Sequence, residues 1–339
     1  MDWSKGFGAT YYVSVVDPVT WKDESRIELT GGSVKKTITD LRESATINVV
    51  DYPYSLEEKW LRVYLIARQG GNSERVALFT GLATSPSKNI NGNLVTNDLE
   101  CYSVLKPAED VLLQRGWYAP AYADGPKIIR DMLKVIPAPV VIDDNADDKN
   151  RELKNAIIAE DGESCLTMAD KVLTAINWRL VISGDGTVTI TDPAKDISAT
   201  LSALNYDIVE PKVSVTNDWY TCPNVFRAVM DDTYALARDD EPDSILSVPS
   251  RGREIWMEET NCDLNTDETL AEYAYRRLQE EQRVATTLSY DRRYDPSLNP
   301  TDIVRLSYPG QEIDGVYLIT SQSIELAYGA RVSEEVSTA

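Results

Sequence analysis

Clusters of carboxylates are the groups in this sequence with the clearest potential for chemistry. Two carboxyl groups that flank a sugar can hydrolyse a glycosidic bond. The clusters stand in polar segments: Asp231 with Asp232, Asp239 with Asp240 and Glu241, and the loop 143–148. The chain has 55 acidic residues, however, so adjacent carboxylates arise by chance, and no aromatic platform surrounds these clusters. We predict that they are solvated loops, and the sequence nominates no catalytic residue.

The loop 143–148 is spaced like the beginning of a calcium-binding loop. Asp143, Asn145 and Asp147 take positions 1, 3 and 5 of the EF-hand pattern. Position 6 should be glycine and is Asp148, and position 12 should be glutamate and is Lys154. The loop therefore fails the pattern, and we predict neither a metal site nor a cofactor site in this chain.

Histidine is absent from the sequence, which excludes Ser-His-Asp and Cys-His triads and most zinc sites. The cysteines are widely separated and form no C-x-x-C pair. They are Cys101, Cys165, Cys222 and Cys262. We predict that they are scattered buried thiols rather than disulfides or metal ligands.

Two glycine-rich segments also fail the motifs that they partly resemble. Gly6-Phe7-Gly8 and Gly184-Asp185-Gly186 both lack the third glycine of the dinucleotide-binding G-x-G-x-x-G pattern. The second segment lies between two β-rich runs, where an Asp-Gly pair favours a two-residue hairpin turn. The sequence also lacks a Walker A motif and G-x-S-x-G, so nucleotide binding and acyl transfer are not indicated.

The seven tryptophans are dispersed along the chain. The periodicity around Trp60 and Trp178 predicts strands with these rings in the core. Trp117 precedes Tyr118 in a loop, where it could be an exposed interface anchor or could cover its own domain.

Composition indicates an ordinary globular protein, with 42% hydrophobic and 26% charged residues. The 339 residues suggest two or three domains. The formal charge of −21 argues against a nucleic-acid-binding surface, because phosphate contacts need Lys and Arg. No apolar run reaches the roughly 18 residues of a membrane span, and no signal peptide is apparent. We therefore expect no membrane anchor. We also expect that the protein is made and kept in a reducing cytoplasm, or is assembled there into something larger.

Residues 1–107 favour an antiparallel β-barrel or sandwich. β-Branched and aromatic residues predict strands at 11–16, 45–50, 61–66 and 76–79. Gly- and Pro-containing segments predict turns at 31–32, 51–53, 70–72 and 91–93.

Residues 108–196 favour a small α+β domain. Gly125-Pro126 begins a helix that Pro137 ends, a second helix covers 164–177, and a hairpin covers 178–191. Residues 197–339 return to β structure, with strands predicted at 286–290, 302–307, 315–321 and 323–327.

A helical segment at about 265–284 interrupts the last part of the chain. Asn265 and Glu268 have the spacing of a capping box, and Glu272 with Arg276 forms a favourable i, i+4 pair. Leu270, Ala274 and Leu278 would share one face of this helix.

A weak internal repeat links the first and last parts. The segments 61–65 and 76–81 resemble 303–307 and 316–321, each pair separated by a polar loop. Either this match is chance between two hairpins, or the chain holds two related β domains around an α+β insert.

The order of these parts, together with several short motifs, resembles the bacteriophage tail baseplate hub proteins, which also occur in phage-like contractile injection systems. The motifs are FTGLAT at 79–84, DLECYSVL at 98–105, SRGR at 250–253, DPSLNPTDIVRL at 295–306 and GVYLIT at 315–320. The resemblance covers nearly the whole chain.

This resemblance implies a mainly β fold in which two tail-tube-like antiparallel β-barrels, 1–107 and 197–339, flank the α+β insert 108–196. It also implies a homotrimer whose six barrels mimic one layer of the sixfold tail tube and adapt it to a threefold central spike. The implied partners are a tail tube or distal tail protein, the spike and the tape-measure protein, in the tail of a virion assembled in the host cytoplasm. DNA would pass through the channel without specific binding.

The role of the acidity stays open at this point: it either lines a channel and repels DNA or only keeps the protein in solution. The candidates for subunit contacts are the strand with Tyr11 and Tyr12 and the strand 316–320.

The function also has an alternative. The chain could be a carbohydrate-binding or carboxylate-dependent glycoside-hydrolysing β protein, which predicts a monomer with two carboxylates roughly 5–9.5 Å apart in a cleft.

Overall fold

The computed structural model describes residues 1–50, 55–85, 87–91, 94–146, 149–193, 196–202, 208–308 and 313–338. The first part holds the strands β1 (Gly8–Val16), β2 (Asp23–Thr37), β3 (Glu43–Val50), β4 (Trp60–Gln69), β5 (Asn72–Ala83), β6 (Ser87–Asn91) and β7 (Leu94–Ser103). The middle part holds α1 (Lys106–Asp110), β8 (Tyr118–Ala119), α2 (Gly125–Met132), a 3-10 turn (Leu133–Val135), β9 (Val140–Ile142), β10 (Ile157–Ile158), α3 (Cys165–Ile176), β11 (Arg179–Ile182) and β12 (Val188–Thr191).

The last part is the longest. It holds β13 (Ile197–Ser202), β14 (Ile208–Asn217), β15 (Val225–Met230), β16 (Thr233–Arg238), α4 (Val248–Arg251), β17 (Trp256–Thr260), α5 (Leu270–Arg283), β18 (Thr286–Arg293), β19 (Ile303–Tyr308), β20 (Ile313–Glu325) and β21 (Arg331–Thr338). The expectation of a mainly β fold with an α+β insert is confirmed.

Six of the first seven strands form a closed barrel, and β6 pairs with β7 beside it. The hydrogen-bonded order β1–β4–β5–β7–β3–β2 returns to β1, because β1 pairs with both β4 and β2. Inward-facing side chains such as Val13, Ile47, Val63 and Phe79 are fully buried and fill this barrel. Closure pairs the backbone groups that an open sheet would leave at its edges.

Glycine serves two different purposes in this barrel. Gly70 and Gly71 both have positive φ and turn the chain from β4 into β5, as predicted. Gly31 and Gly32, predicted as a turn, instead lie inside β2, and that prediction is wrong. Gly32 has φ +135° and an added Cβ would lie 2.1 Å from the carbonyl oxygen of Thr46, so it permits an irregularity within a long strand. The predicted turns at 51–53 and 91–93 fall wholly or partly outside the described residues.

Strand β20 connects the first barrel to the last part of the chain. Residues 33–37 of β2 pair with residues 321–325 of β20, while β20 also pairs with β19 and β21. The sequence predicted two strands at 315–321 and 323–327, and this is wrong because a single strand runs through Gln322. The Gln322 side-chain amide is buried and donates to the carbonyl oxygen of Leu298 and to Glu334, which explains why a polar residue does not end the strand.

The last part adds six strands to the same hydrogen-bonded sheet, in the order β13–β19–β20–β21–β18–β14. We call these six strands the second barrel. Leu201 from β13 and Val213 from β14 pack into the same hydrophobic core, so the sheet curls until its two ends face a common interior. One pair departs from the expected antiparallel arrangement, since β13 and β19 run parallel. Both segments of the suspected repeat form antiparallel hairpins, β4–β5 and β19–β20, while their common origin stays a prediction.

The middle part packs around its two longer helices. Both predicted helices are confirmed: Asp124 caps α2, while Ser164 and left-handed Asn177 flank α3. Gly125 allows close packing, because an added Cβ would lie 2.9 Å from Ile176 of α3. The predicted hairpin is also present, as β11 and β12.

The loop of this hairpin docks against the first barrel. Its closing hydrogen bond runs from the amide of Ser183 to the carbonyl of Thr187, and Gly186 takes φ +85°. The loop thus contains three residues, 184–186, instead of the predicted two, because Gly186 in the left-handed region extends the turn by one residue.

Three hydrogen bonds fix the docked loop, and a fourth, within the barrel, links two of the side chains that make them. Thr80 Oγ1 donates to the carbonyl oxygen of Gly184 at 2.8 Å. Trp21 Nε1 and Arg62 Nη2 both donate to the carbonyl oxygen of Asp185 at 2.9 Å, and Arg62 Nε donates to Thr80 at 2.9 Å. The hairpin therefore joins the α+β part to the first barrel through its backbone.

A further compact unit lies between β14 and β18. The three-stranded sheet β16–β15–β17 packs against α5 around buried Phe226, Tyr273 and Leu278. The predicted helix is present, but it begins later than the Asn265–Glu268 spacing indicated.

The predicted cap of α5 is wrong in its residues. Thr269 and Glu272 form the capping box. Asn265 is buried, and its side chain donates instead to the carbonyl oxygen of Ala175 in α3. This tertiary hydrogen bond explains why Asn265 does not form the cap that the local pattern predicted. Because Glu272 is used in the cap, Arg276 does not pair with it as predicted.

We expect Gly184→Ala to destabilise the joint between the hairpin and the barrel. An added Cβ would lie 1.8 Å from the carbonyl oxygen of Ala77, so the hairpin or β5 must move. The expected loss is about 1–3 kcal/mol of unfolding free energy, measured by urea denaturation followed by circular dichroism. Gly6→Ala is the matched control, because nothing lies within 4 Å of its added Cβ. Equal stabilities of the two variants would contradict the docked geometry.

Candidate functional site

The acidic clusters singled out in the sequence lie in turns and at strand ends. Asp231, with φ +52°, forms the tight turn between β15 and β16 with exposed Asp232. Asp239 accepts hydrogen bonds from Ser244 Oγ at 2.7 Å and from Gln282 Nε2 at 3.1 Å. These carboxylates serve the local backbone and its loops.

The loop that begins at Asp143 is also held by its own hydrogen bonds. Asp143 accepts from the amide of Asn145 at 2.9 Å and from Thr191 Oγ1 at 3.0 Å, and these bonds lower the pKa of its carboxyl group. Asp147 and Asp148 lie outside the described residues. Within the part of the chain that the structure describes, no three His, Cys, Asp or Glu side chains are grouped so that they could hold a metal ion.

The four cysteines are free and buried, as predicted. Burial raises the pKa of the Cys101 thiol to about 12 and those of Cys222 and Cys262 to about 11. These thiols are therefore protonated at neutral pH and lack the thiolate character of a nucleophile.

Two of the seven tryptophans match the core positions that periodicity predicted for them. Trp60 and Trp178 are buried. Trp117 packs against the core of the α+β part. It therefore covers its own domain and is not an exposed interface anchor. Its neighbour Tyr118 is exposed.

The two strands proposed for subunit contacts are already paired on both sides. Strand β1 lies between β2 and β4, and β20 lies between β19 and β21. Tyr12 stacks on Tyr64 at 4.9 Å between ring centroids, and the Tyr11 hydroxyl donates to the carbonyl oxygen of Ala327 at 2.9 Å. These strands can thus offer only side chains, not free backbone edges, to a neighbouring subunit.

The most heavily buried charges lie inside the second barrel. Arg292 donates to Glu334 with Nε at 2.9 Å and Nη2 at 2.8 Å, and both side chains are almost completely buried. The Tyr290 hydroxyl and Gln322 Nε2 donate to the same carboxylate, at 2.6 and 2.8 Å. Burial next to Glu334 raises the pKa of Tyr290 well above its usual value. The four groups satisfy one another, as buried charges require.

Sequence reasoning missed this network, although a signal was present. Leu288, Tyr290 and Arg292 alternate along β18 and therefore share the inward face. A charged residue at an inward position requires a buried partner. The sequence alone does not show that this partner is Glu334, because that depends on the register of β18 against β21.

A second buried pair lies where β2, β3 and β11 meet. Lys36 Nζ lies 3.1 Å from a carboxylate oxygen of Glu43, its partner across the β2–β3 ladder. A small cavity of about 20 Å³ adjoins the pair and is also lined by Leu180 and Thr301. Burial raises the pKa of Glu43 to about 7, and the nearby Lys36 opposes this effect only in part.

The arrangement as a whole is a set of structural joints. The described polar groups that converge connect strands and domains of this chain, namely Arg62 with the hairpin loop, Lys36 with Glu43, and Arg292 with Glu334. Such an arrangement can hold three parts in fixed positions.

Comparison with solved structures places this fold among phage tail proteins. A tail protein from Neisseria meningitidis MC58 matches with a TM-score of 0.72 and 14% identity, covering 97% of this chain and 96% of the other. The 43 kDa tail protein of prophage MuSo2 from Shewanella oneidensis matches with a TM-score of 0.70 and 14% identity, over 97% and 96% of the two chains.

A third match comes from a secretion system. The E. coli c3393 protein, a component of the type VI secretion system described as structurally similar to the T4 tail proteins gp27 and gp5, matches with a TM-score of 0.56 and 8% identity. The match covers 92% of this chain and 74% of the c3393 chain. No family model and no curated protein sequence matches this chain.

The chain therefore has the fold of these phage tail proteins. The match runs from end to end, so it includes both β parts and the insert between them. The resemblance noted from the sequence is confirmed at the level of the fold. In the part of the chain that the structure describes, no helix has the length and apolar character needed to cross a membrane.

We expect Glu334→Gln to destabilise the second barrel strongly, because it leaves the buried Arg292 guanidinium without a compensating charge. The expected cost is about 3–5 kcal/mol in urea denaturation. Asp314→Asn is the matched control: it removes the carboxylate of an exposed pair with Arg305 and should cost less than about 1 kcal/mol. A small effect of Glu334→Gln would show that the network is not buried as described.

Glu43 should make the chain less stable as the pH rises. Its pKa is higher in the folded than in the unfolded chain, so the folded state retains a proton that the unfolded state has released. The resulting stabilisation is present at acidic pH and is lost as the pH rises through about 7.

The comparison with Glu43→Gln isolates this contribution. Between pH 5.5 and 8, the unfolding free energy of the native chain should fall by roughly 2 kcal/mol relative to that of the variant. Urea denaturation of both proteins across this range provides the measurement. Parallel pH profiles would contradict the elevated pKa of Glu43.

Proposed function

We propose that this protein is a structural hub of a phage-type tail baseplate, acting as a homotrimer that adapts a sixfold tail tube to a threefold central spike. The observation that carries this proposal is the end-to-end match of the fold to tail proteins. Each protomer contributes one closed barrel and one curled six-stranded sheet, so three protomers supply six tube-like units.

The internal joints suit a component that transmits force between tube and spike. One continuous sheet crosses from the first barrel to the second, and the hairpin β11–β12 fixes the insert to the first barrel. A protomer held at both places would move as one body within the assembly.

The partners of this hub would be its own copies, a tail tube or distal tail protein, the central spike and the tape-measure protein. Its location would be the virion tail, after assembly in the host cytoplasm. Its role is structural rather than enzymatic, consistent with carboxylates and thiols that serve loops and core.

The acidity of the chain fits passage of DNA without adhesion. Three copies of a chain with a charge of −21 carry −63 together. A channel with this sign of charge repels the phosphate backbone and lets DNA slide. Filter binding with duplex DNA at low salt should show no retention, whereas salt-sensitive binding would contradict the acidic channel.

Mass measurement tests the trimer. Light scattering of the purified chain should give about three times 37.8 kDa, and the trimer fraction should rise with salt, because screening weakens repulsion between acidic protomers. A chain that stays monomeric at all salt concentrations, and also in the presence of a candidate spike protein, would refute the trimeric hub.

A further inference from the structure

A continuous cleft lies where the first barrel, the insert and α5 approach one another. Two adjoining cavities of about 560 and 420 Å³ share several lining residues, among them Ile38, Trp178, Arg179 and Thr301. The cleft is therefore bordered by the segment that follows β2, by the C-terminal end of α3 and by the exposed side of α5.

Arginine is concentrated in this cleft, in a chain whose net charge is −21. The arginines that line it are Arg42, Arg179, Arg276, Arg277 and Arg283. Three of them are neutralised locally. Arg42 pairs with Asp170 at 2.6 Å, while Arg276 and Arg277 pair with Glu280 at 3.0 and 2.7 Å.

The other two arginines lack such partners. Among the described residues, neither Arg179 nor Arg283 has a carboxylate within 4 Å. Arg179 donates through Nη1 to the carbonyl oxygen of Thr301, but its Nε is buried without an acceptor. Burial lowers the pKa of Arg179, because distant Asp302, Asp192 and Asp143 compensate its charge only in part.

A buried guanidinium N–H without an acceptor is unfavourable, since it has lost water and gained nothing in exchange. A ligand carboxylate placed between Arg179 and Arg283, which both line the smaller cavity, would supply the opposite charge that the described residues do not place within 4 Å of either side chain. Arg283 is the last residue of α5, where the helix dipole stabilises a positive charge. This stabilisation of Arg283 does not depend on a ligand.

The walls of the smaller cavity combine apolar and charged side chains. The apolar side chains are Ile38, Trp178, Pro193, Ile303 and Leu318. Beside Arg179 and Arg283, the charged side also holds Arg276, which is paired with Glu280. The cavity volume of about 420 Å³ is in the range of small ligand pockets. This combination suits a carboxylate flanked by aliphatic groups.

We propose that this cleft binds an acidic side chain from a peptide segment of a partner protein, with neighbouring apolar side chains packed on Trp178, Ile303 and Leu318. The carboxylate is held between Arg179 and Arg283. The partner is another component of the tail, so this identification rests on the proposed function. The cleft itself is complete within one protomer, and its test does not require the assembly.

The probe is the capped peptide acetyl-Leu-Glu-Leu-amide, titrated into the full chain by calorimetry at low ionic strength. Its matched control is acetyl-Leu-Gln-Leu-amide. The acidic peptide should bind on the order of tenfold more tightly or better, because it alone forms charge-assisted hydrogen bonds. Equal affinities would overturn the proposal.

Variants locate the site. Arg179→Gln and Arg283→Gln should each weaken the acidic peptide roughly tenfold. Arg115→Gln, an exposed arginine of the insert outside this cleft, should have no effect. Arg179 also donates a hydrogen bond to Thr301, so its replacement could prevent folding. In that case Arg283→Gln alone provides the test.

Two results would exclude the assignment. The first is an equal loss of binding in Arg115→Gln, which would indicate nonspecific electrostatics. The second is displacement of the peptide by duplex DNA, which would make the cleft a phosphate site. If the chain is monomeric and still binds the acidic peptide, the trimer proposal is contradicted while the proposed peptide site is supported.

Discussion

Strand β20 is the element on which the rest of the structure depends. It hydrogen-bonds to β19 and β21 within the second barrel and, through residues 321–325, to β2 of the first barrel. Ile324, Leu326 and Val332 from this end of the chain also enter the core of the first barrel. The two barrels therefore share both a backbone ladder and part of a core, so neither can shift without breaking buried contacts.

The insert is fixed to the same frame both by hydrogen bonds to its backbone and by a hydrophobic core that it shares with Val16 and Trp60 of the first barrel. The carbonyl oxygens of Gly184 and Asp185 accept hydrogen bonds from the first barrel, and only glycine fits at position 184. Buried charges then fix the remaining freedom. Arg292 with Glu334 inside the second barrel, and Lys36 with Glu43 beside β11, penalise any rearrangement that would separate them.

Local patterns in the sequence were sufficient for many elements. The strands around Trp60 and Trp178, the two insert helices, and the hairpin at Gly184–Gly186 follow from periodicity and turn chemistry. What failed depends on distant partners. Gly31 and Gly32 remain in a strand because β3 and β20 pair with it, and Asn265 leaves the cap of α5 to bond Ala175. Barrel closure and the Arg292–Glu334 pair require strand register, which one sequence does not reveal.

In the proposed hub, the function of this protein depends on its repetition around an axis. Cryo-electron microscopy of the purified chain, alone and with a candidate spike protein, tests this most directly. A homotrimeric hub should form a threefold ring in which six barrel densities surround a central opening, the first barrel alternating with the second barrel. Single protomers under every condition, or rings with another number of barrels, would contradict it.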